Sequence, residues 1–99
     1  MTLRHIVAWK LATDDGAARA EQTARMARDL LALRGVVPEI LDISIGSDVL
    51  GGDNWDIALV ADFADAEALH AYQVHPAHQE VVGYVRSVVS ERVSVDFEV

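Results

Sequence analysis

The chain has 99 residues, of which 52% are hydrophobic, and 16 acidic against 8 basic side chains give it a formal net charge of -8 at pH 7. This length supports a single modest core, so we expect one domain over residues 1-99. The acidic balance, without a basic cluster beyond the helical Arg25 and Arg28, argues against binding to nucleic acid or to a membrane surface. The absence of cysteine excludes disulfides and thiolate metal sites, and no apolar run approaches the ~20 residues of a membrane span, so we expect a cytoplasmic protein.

The first third of the chain predicts a strand followed by a helix. Side chains alternate between two faces from Leu3 to Leu11, which is the period of a strand. The second face of this strand is apolar at Ile6 and Ala8, so we expect it to be covered as well. Thr13 is a typical helix start, and apolar residues then recur at three- and four-residue intervals to about Arg34.

The middle of the chain predicts two strands, Ile40-Ile45 and Trp55-Phe63, joined by a loop. The second strand is apolar on both faces, which predicts a central position in the sheet. The loop contains the pair Gly51-Gly52, but neither a lysine nor an immediate helix follows it. This pattern does not match a phosphate-binding loop.

The last third predicts two helices and a strand. Asp65 is a helix start, and Pro76 disfavours helical geometry at His75 while it suits the first turn of a new helix. We therefore expect one helix up to the corner at His75 and a second helix to about Val89. The segment Glu91-Val99 alternates between apolar and polar side chains and predicts a closing strand.

The resulting order, β-α-β-β-α-α-β, predicts an α+β, ferredoxin-like sandwich with a four-stranded antiparallel sheet. Helices in this arrangement cover only one face of the sheet. The other face would expose a contiguous apolar patch at Ile6, Ala8, Ala58 and Val60, which a monomer rarely shows to water. We therefore expect a homodimer in which a second sheet covers this face, so that the two sheets form a dimeric α/β barrel.

A single stretch, Leu69-Val82, contains one tyrosine and three of the four histidines. Tyr72 would lie in the last turn of the first of these two helices, and His78 on the apolar face of the next. Two proton-carrying groups can therefore share one pocket. His5 is either a core histidine or a further pocket residue. Candidate ligand-binding residues are His5 together with the apolar side chains Trp9, Met26, Leu30 and Val82.

Three functions remain open at this stage. In an enzyme, His78 would take a proton from a carbon acid and Tyr72 would donate a hydrogen bond to the enolate. A binding protein would use the same pocket only to recognise a small apolar or carbonyl ligand. A structural protein would use His75 at the corner, His78 in the core and the dimer itself. His75 and His78 stand three residues apart, with His70 nearby and Glu80 as a possible acidic partner, so a metal site is an alternative. The spacing is not a sharp ligand pattern, however, and we expect neither a metal nor a cofactor.

The chain also resembles a known family over nearly its whole length. The similar segments are RHIVAWKL, VPEILDISIGSDV, DIALVADFADAEALHAYQVHPAHQEVV and VDFEV. The most specific part is YQVHPAH, from Tyr72 to His78. These segments resemble the stress-responsive A/B barrel proteins, called Dabb, of the dimeric α/β-barrel superfamily.

The resemblance implies a ferredoxin-like fold whose sheets pair back to back in a homodimer. Many members are stress-associated proteins without an assigned reaction, whereas a plant branch cyclises polyketides by an intramolecular aldol reaction. In that branch the tyrosine and the second histidine of the motif act, and these roles would fall on Tyr72 and His78, with His5 in the same pocket. This chain has Ile57 where the cyclising branch has another pocket histidine.

Overall fold

The computed structural model describes all 99 residues. Four strands and three helices follow one another as predicted, with one short 3₁₀ turn after the first helix. The elements are β1 Leu3–Leu11, α1 Gly16–Leu31, the 3₁₀ turn Ala32–Gly35, β2 Asp42–Ser47, β3 Ile57–Phe63, α2 Ala66–Val74, α3 Pro76–Val88 and β4 Val89–Glu98. The strands form one antiparallel sheet in the order β2-β3-β1-β4, which confirms the predicted ferredoxin-like fold and the central position of β3.

Helix α1 begins two residues later than its sequence predicts. Asp15, and not Thr13, is the N-cap, because the Asp15 carboxylate accepts a hydrogen bond of 2.9 Å from the backbone N–H of Ala18. The Thr13 hydroxyl instead accepts from the N–H of Asp15 at 3.1 Å. Asp15 thus caps the helix, and Thr13 stabilises the turn that precedes it.

The bounds of several strands also differ from the prediction by two residues. Strand β2 starts at Asp42 because its ladder to β3 begins there, and it continues to Ser47, which pairs with Ile57. Strand β4 starts at Val89 because this residue already pairs with Leu11 of β1. Its β-branched side chain suits a strand better than another helical turn.

The corner between α2 and α3 is formed as predicted. His75 has extended backbone angles (φ -61°, ψ 133°), and Pro76 is the first residue of α3. The His75 imidazole caps the new helix, since its Nδ1 accepts a hydrogen bond of 3.1 Å from the N–H of Ala77. The N–H of His75 donates to the carbonyl oxygen of Tyr72 at 3.2 Å, so the end of α2 is tied to the corner.

The helices cover one face of the sheet, and the core lies between them. Alternate residues of the two central strands point into this core, where Phe63 and Met26 have no exposed surface. The other face, which we call the open face, has no helix on it. Residues that oppose each other in an antiparallel ladder point to the same face. The open face therefore combines the predicted apolar residues with three from β4: Ile6, Ala8, Ala58, Val60, Val93, Val95 and Phe97.

The three β4 residues of the open face are well exposed, with 46% exposure for Val93, 57% for Val95 and 41% for Phe97. Near one end of the face, Arg4 and Asp62 form a two-pronged ion pair at 2.9 and 3.1 Å. An apolar surface of this extent with a charged edge is typical of an interface. None of the helices combines the length and the hydropathy needed to cross a membrane.

Candidate functional site

A cavity of about 580 Å³ lies between the helix-covered face of the sheet and the α2-α3 corner. Its wall contains most of the residues that the sequence singles out, namely His5, Trp9, Leu30, Tyr72, His78 and Val82. Met26 is different, because it has no exposed surface and does not line the cavity. Its side chain fills the core under α1, where helical periodicity alone does not distinguish a core residue from a pocket residue.

His78 lies in the first turn of α3 and is partly buried. Its Nδ1 is 3.1 Å from the carbonyl oxygen of Gln73. A carbonyl oxygen only accepts hydrogen bonds, so this contact assigns the proton to Nδ1 and leaves a lone pair on Nε2. Burial lowers the pKa of His78 below its ordinary value of 6.5, and therefore the imidazole is neutral at pH 7. The arrangement provides a proton acceptor at Nε2.

Tyr72 lies on α2 and has 2% of its surface exposed. Its ring packs between those of His78, at a centroid distance of 4.2 Å, and Phe63, at 5.0 Å. Burial raises the pKa of Tyr72 to about 12, although the positive charge of Arg92 acts in the opposite direction. The hydroxyl is therefore protonated at neutral pH. It is available as a donor.

His5 is the only polar residue among the buried ones, with 4% exposure. Its Nδ1 is 2.5 Å from the Oδ1 of Asp96, which lies opposite it in the β1-β4 ladder. A carboxylate accepts, so Nδ1 of His5 is the donor. The His5 ring meets Phe63 edge to face at 6.5 Å, and Phe63 is also a neighbour of Tyr72. His5 is thus at once a partnered core histidine and part of the cavity wall.

Two residues of this region, Arg92 and Asp96, have no place among the sequence candidates. The alternation of β4 shows two faces, but it does not tell which face turns toward the helices. The register settles this, because Arg92 opposes Trp9 and Asp96 opposes His5. The polar side of β4 therefore lies on the helix-covered face of the sheet, where Arg92 is part of the cavity wall, and its apolar side adds to the open face.

The histidines of the motif do not converge on one point. His75 uses its Nδ1 to cap α3, and His70 is exposed on α2. No three side chains of His, Asp or Glu lie close enough together to hold a metal ion. The chemistry that the site offers is therefore that of His78, Tyr72 and the His5-Asp96 pair.

The comparisons with known proteins agree with this fold. The family model described as Stress Responsive A/B Barrel Domain, Dabb, matches residues 3–99. A dimeric ferredoxin-like protein of unknown function from Bacteroides fragilis is 25% identical, with a TM-score of 0.93 and coverage of 99% of this chain and 96% of that one. Another from Thermobifida fusca is 28% identical, with a TM-score of 0.84 and coverage of 100% and 92%. No curated protein matches the chain in sequence.

A hydroxynitrile lyase from Passiflora edulis has the same fold. It is 18% identical, with a TM-score of 0.79, and the match covers 97% of this chain and 91% of the lyase. At this level of identity the likeness concerns the fold, and a reaction must be argued from the residues of the cavity.

Proposed function

This chain belongs to the stress responsive A/B barrel domain family, and we propose that it is a homodimer in which each cavity binds a small carbonyl compound and moves a proton on it. His78 is the proton acceptor, and Tyr72 is the hydrogen-bond donor to the carbonyl oxygen. His5, Trp9, Leu30 and Val82 form the wall around the ligand.

The open face supports the homodimer. In a single protomer, between 41 and 57% of the surface of Val93, Val95 and Phe97 is exposed. Together with Ile6 and the other apolar residues of the open face, they form one continuous apolar surface. A second copy of the same sheet would bury these groups around a two-fold axis, where the surface meets itself. The similar proteins from Bacteroides fragilis and Thermobifida fusca are described as dimeric.

The observation that carries the chemistry is the state of His78. The Gln73 carbonyl holds the proton of His78 on Nδ1, burial keeps the ring neutral, and Tyr72 lies against it inside a cavity. A general base must have a free lone pair in reach of the substrate, and Nε2 is such an atom. Neither the fold nor the family match requires this arrangement.

The proton transfer follows from these groups. Nε2 of His78 takes a proton from the carbon next to the carbonyl group, and the electron pair of the broken C–H bond moves to the carbonyl oxygen. The Tyr72 hydroxyl donates a hydrogen bond to this developing enolate. It can do so because its pKa of about 12 keeps it protonated at neutral pH. The imidazolium then returns the proton to carbon or to an oxygen of the product.

A ligand carrier is the second candidate, and the apolar part of the wall favours it. Trp9, Leu30 and Val82 can bind an apolar ligand by contact alone, without any transfer of a proton. The structural hypothesis, a dimer without a ligand, would leave the cavity without a role.

The experiment is hydrogen-deuterium exchange in D₂O at the carbon next to a carbonyl group, followed by NMR. Suitable probes are benzoylacetone and 4-phenyl-2-oxobutanoate, each with wild type, His78→Ala, Tyr72→Phe and the control His75→Ala. We expect exchange above the buffer rate that is lost in His78→Ala and retained in His75→Ala. Exchange that survives His78→Ala would contradict the catalytic assignment, and binding without exchange would favour the carrier.

A further inference from the structure

Arg92 lies on the edge strand β4, on the sheet face that otherwise carries core residues, and its side chain is exposed. It opposes Trp9 in the β1-β4 ladder, and so its side chain leaves the sheet on the face that the helices cover. On this face the central strands present the buried Val7, Trp9 and Leu59. Arg92 is part of the cavity wall and places a permanent positive charge beside this apolar surface.

The carboxylates nearest to Arg92 along β4 are engaged elsewhere. Asp96 accepts the short hydrogen bond from His5, and Glu91, which is also part of the cavity wall, pairs with Lys10 at 3.5 Å. Arg92 takes part in none of the seven ion pairs of the protein. Five of these pairs join an arginine to a carboxylate, and the arginines are Arg4, Arg19, Arg25, Arg28 and Arg34.

Arg86 is the other unpaired arginine of the cavity wall, but its position has a separate explanation. It lies in the last turn of α3, where a basic side chain interacts favourably with the helix dipole. Arg92 lies in a strand, which has only a small net dipole. The structure gives Arg92 no comparable partner.

The charge of Arg92 reaches the two groups that carry the proposed chemistry. Burial has the largest influence on the pKa of Tyr72 and of His78, raising the first and lowering the second, and the positive charge of Arg92 lowers both. Because Arg92 is part of the same cavity wall as Tyr72 and His78, it is close to the place where the carbonyl compound would lie. In a protein with a net charge of -8, such a site attracts an anion that the rest of the surface repels.

We infer that Arg92 binds a carboxylate group of the ligand, so that the cavity takes small oxo acids in preference to neutral carbonyl compounds. This inference rests on the proposed function and specifies its substrate class. The planar guanidinium matches a carboxylate with two parallel hydrogen bonds and fixes its orientation as well as its position. A carboxylate held at Arg92 would leave the carbonyl end of the molecule for Tyr72 and His78.

The test compares an acid with its ethyl ester; the two share the 4-phenyl-2-oxobutanoyl group, and the ester lacks the negative charge and carries an added ethyl group. Binding of 4-phenyl-2-oxobutanoate and of its ethyl ester is measured by calorimetry for wild type, Arg92→Gln, Arg92→Lys and the control Arg28→Gln. Arg28 is an exposed residue of α1 outside the cavity. Arg28→Gln therefore changes the net charge of the protein as Arg92→Gln does, without a change in the cavity wall. The ester also serves as a check that each variant keeps a folded cavity.

We expect wild type to bind the acid more tightly than the ester. Arg92→Gln should weaken binding of the acid by about 10- to 100-fold, the range for a hydrogen-bonded charged group, and leave binding of the ester unchanged. Arg92→Lys should keep part of the preference, since it retains the charge without the fork. Arg28→Gln should bind both compounds as wild type does.

Equal binding of acid and ester by wild type would overturn the inference, and so would an Arg92→Gln variant that binds the acid normally or loses both compounds equally. The exchange assay separates this failure from a failure of the proposed function. If the protein catalyses exchange on the ester but does not bind the acid more tightly than the ester, the proposed proton transfer stands and the role of Arg92 is overturned. Binding of the acid through Arg92 without exchange supports the inference and removes the proton transfer. Binding of neither compound overturns both.

Discussion

The ring of His78 lies 4.2 Å from that of Tyr72 between centroids, although the two residues belong to different helices. The corner between α2 and α3 produces this contact. Its own histidine, His75, caps α3 by its side chain and binds the carbonyl of Tyr72 by its N–H. The carbonyl of Gln73 in α2 orients the His78 imidazole. The end of one helix thus positions a side chain in the first turn of the next.

Replacement of Pro76 by alanine tests the corner. Proline fixes the backbone at the start of α3, and a proline in a compatible position stabilises by about 0.4–1 kcal/mol, mainly through the unfolded chain. Pro76 is exposed, so alanine leaves no cavity in the core. We therefore expect a loss of stability of about this size in urea unfolding, and a larger relative loss of ligand affinity in calorimetry because His78 is less well placed. A collapse of thermal stability with unchanged affinity would show that the corner serves the fold alone.

The pH dependence of exchange tests the protonation state of His78. A base works when it is neutral, and burial lowers the pKa of His78 below 6.5. We expect the rate to rise with pH, to reach half its maximum below pH 6.5 and to stay level above pH 7. The Tyr72 hydroxyl, with a pKa of about 12, should cause no decline in the neutral range. A midpoint above 6.5 for the protein-dependent rate would contradict this assignment.

The sequence predicts the elements, their order and the corner, because these depend on local patterns such as the alternation in β1 and the proline at position 76. It also predicts that His5, Tyr72 and His78 can meet. It does not predict the side of β4 that faces the cavity, since strand alternation is symmetrical until the register with β1 is known. The sequence alone therefore does not point to Arg92 or Asp96. Met26 lies in the core and Leu30 in the cavity wall, because one helical face contributes to both, and periodicity alone does not separate them.

Replacement of Tyr72 by phenylalanine separates its hydroxyl from its ring. The ring contacts with His78 and Phe63 remain. We expect little change in the free energy of unfolding and a fall of about 10²–10³ in the exchange rate, the usual effect of removing one donor to an oxyanion. The ratio of rates at saturating probe measures this. An unchanged rate would leave Tyr72 as a packing residue.

The pair of His5 and Asp96 should contribute to stability. His5 is buried and its Nδ1 proton has Asp96 as its partner, so Asp96→Ala leaves a buried donor without an acceptor. We expect a loss of about 1–3 kcal/mol in urea unfolding at pH 7.5, and a smaller loss in Asp96→Asn, whose amide oxygen still accepts. Ser94→Ala, a change two residues away on the same face of the same strand, is the control. Equal stability of the two Asp96 variants would mean that the hydrogen bond itself contributes nothing.

The last prediction concerns the open face. Ala58 lies on this face in β3, opposite Ala8, and is exposed in a single protomer. A glutamate at this position can therefore point into water in a monomer, whereas in a dimer through this face it would bury an unpaired charge against the partner sheet. We expect wild type to have the mass of a dimer in light scattering at micromolar concentration, and Ala58→Glu to have that of a folded monomer.

Ala17→Glu, which adds the same charge to the exposed first turn of α1, should remain dimeric. Val95→Ser, a milder change, should raise the dissociation constant without loss of the fold. A monomeric wild type, or a dimer unaffected by Ala58→Glu, would place the contact elsewhere and leave the apolar open face without its proposed partner.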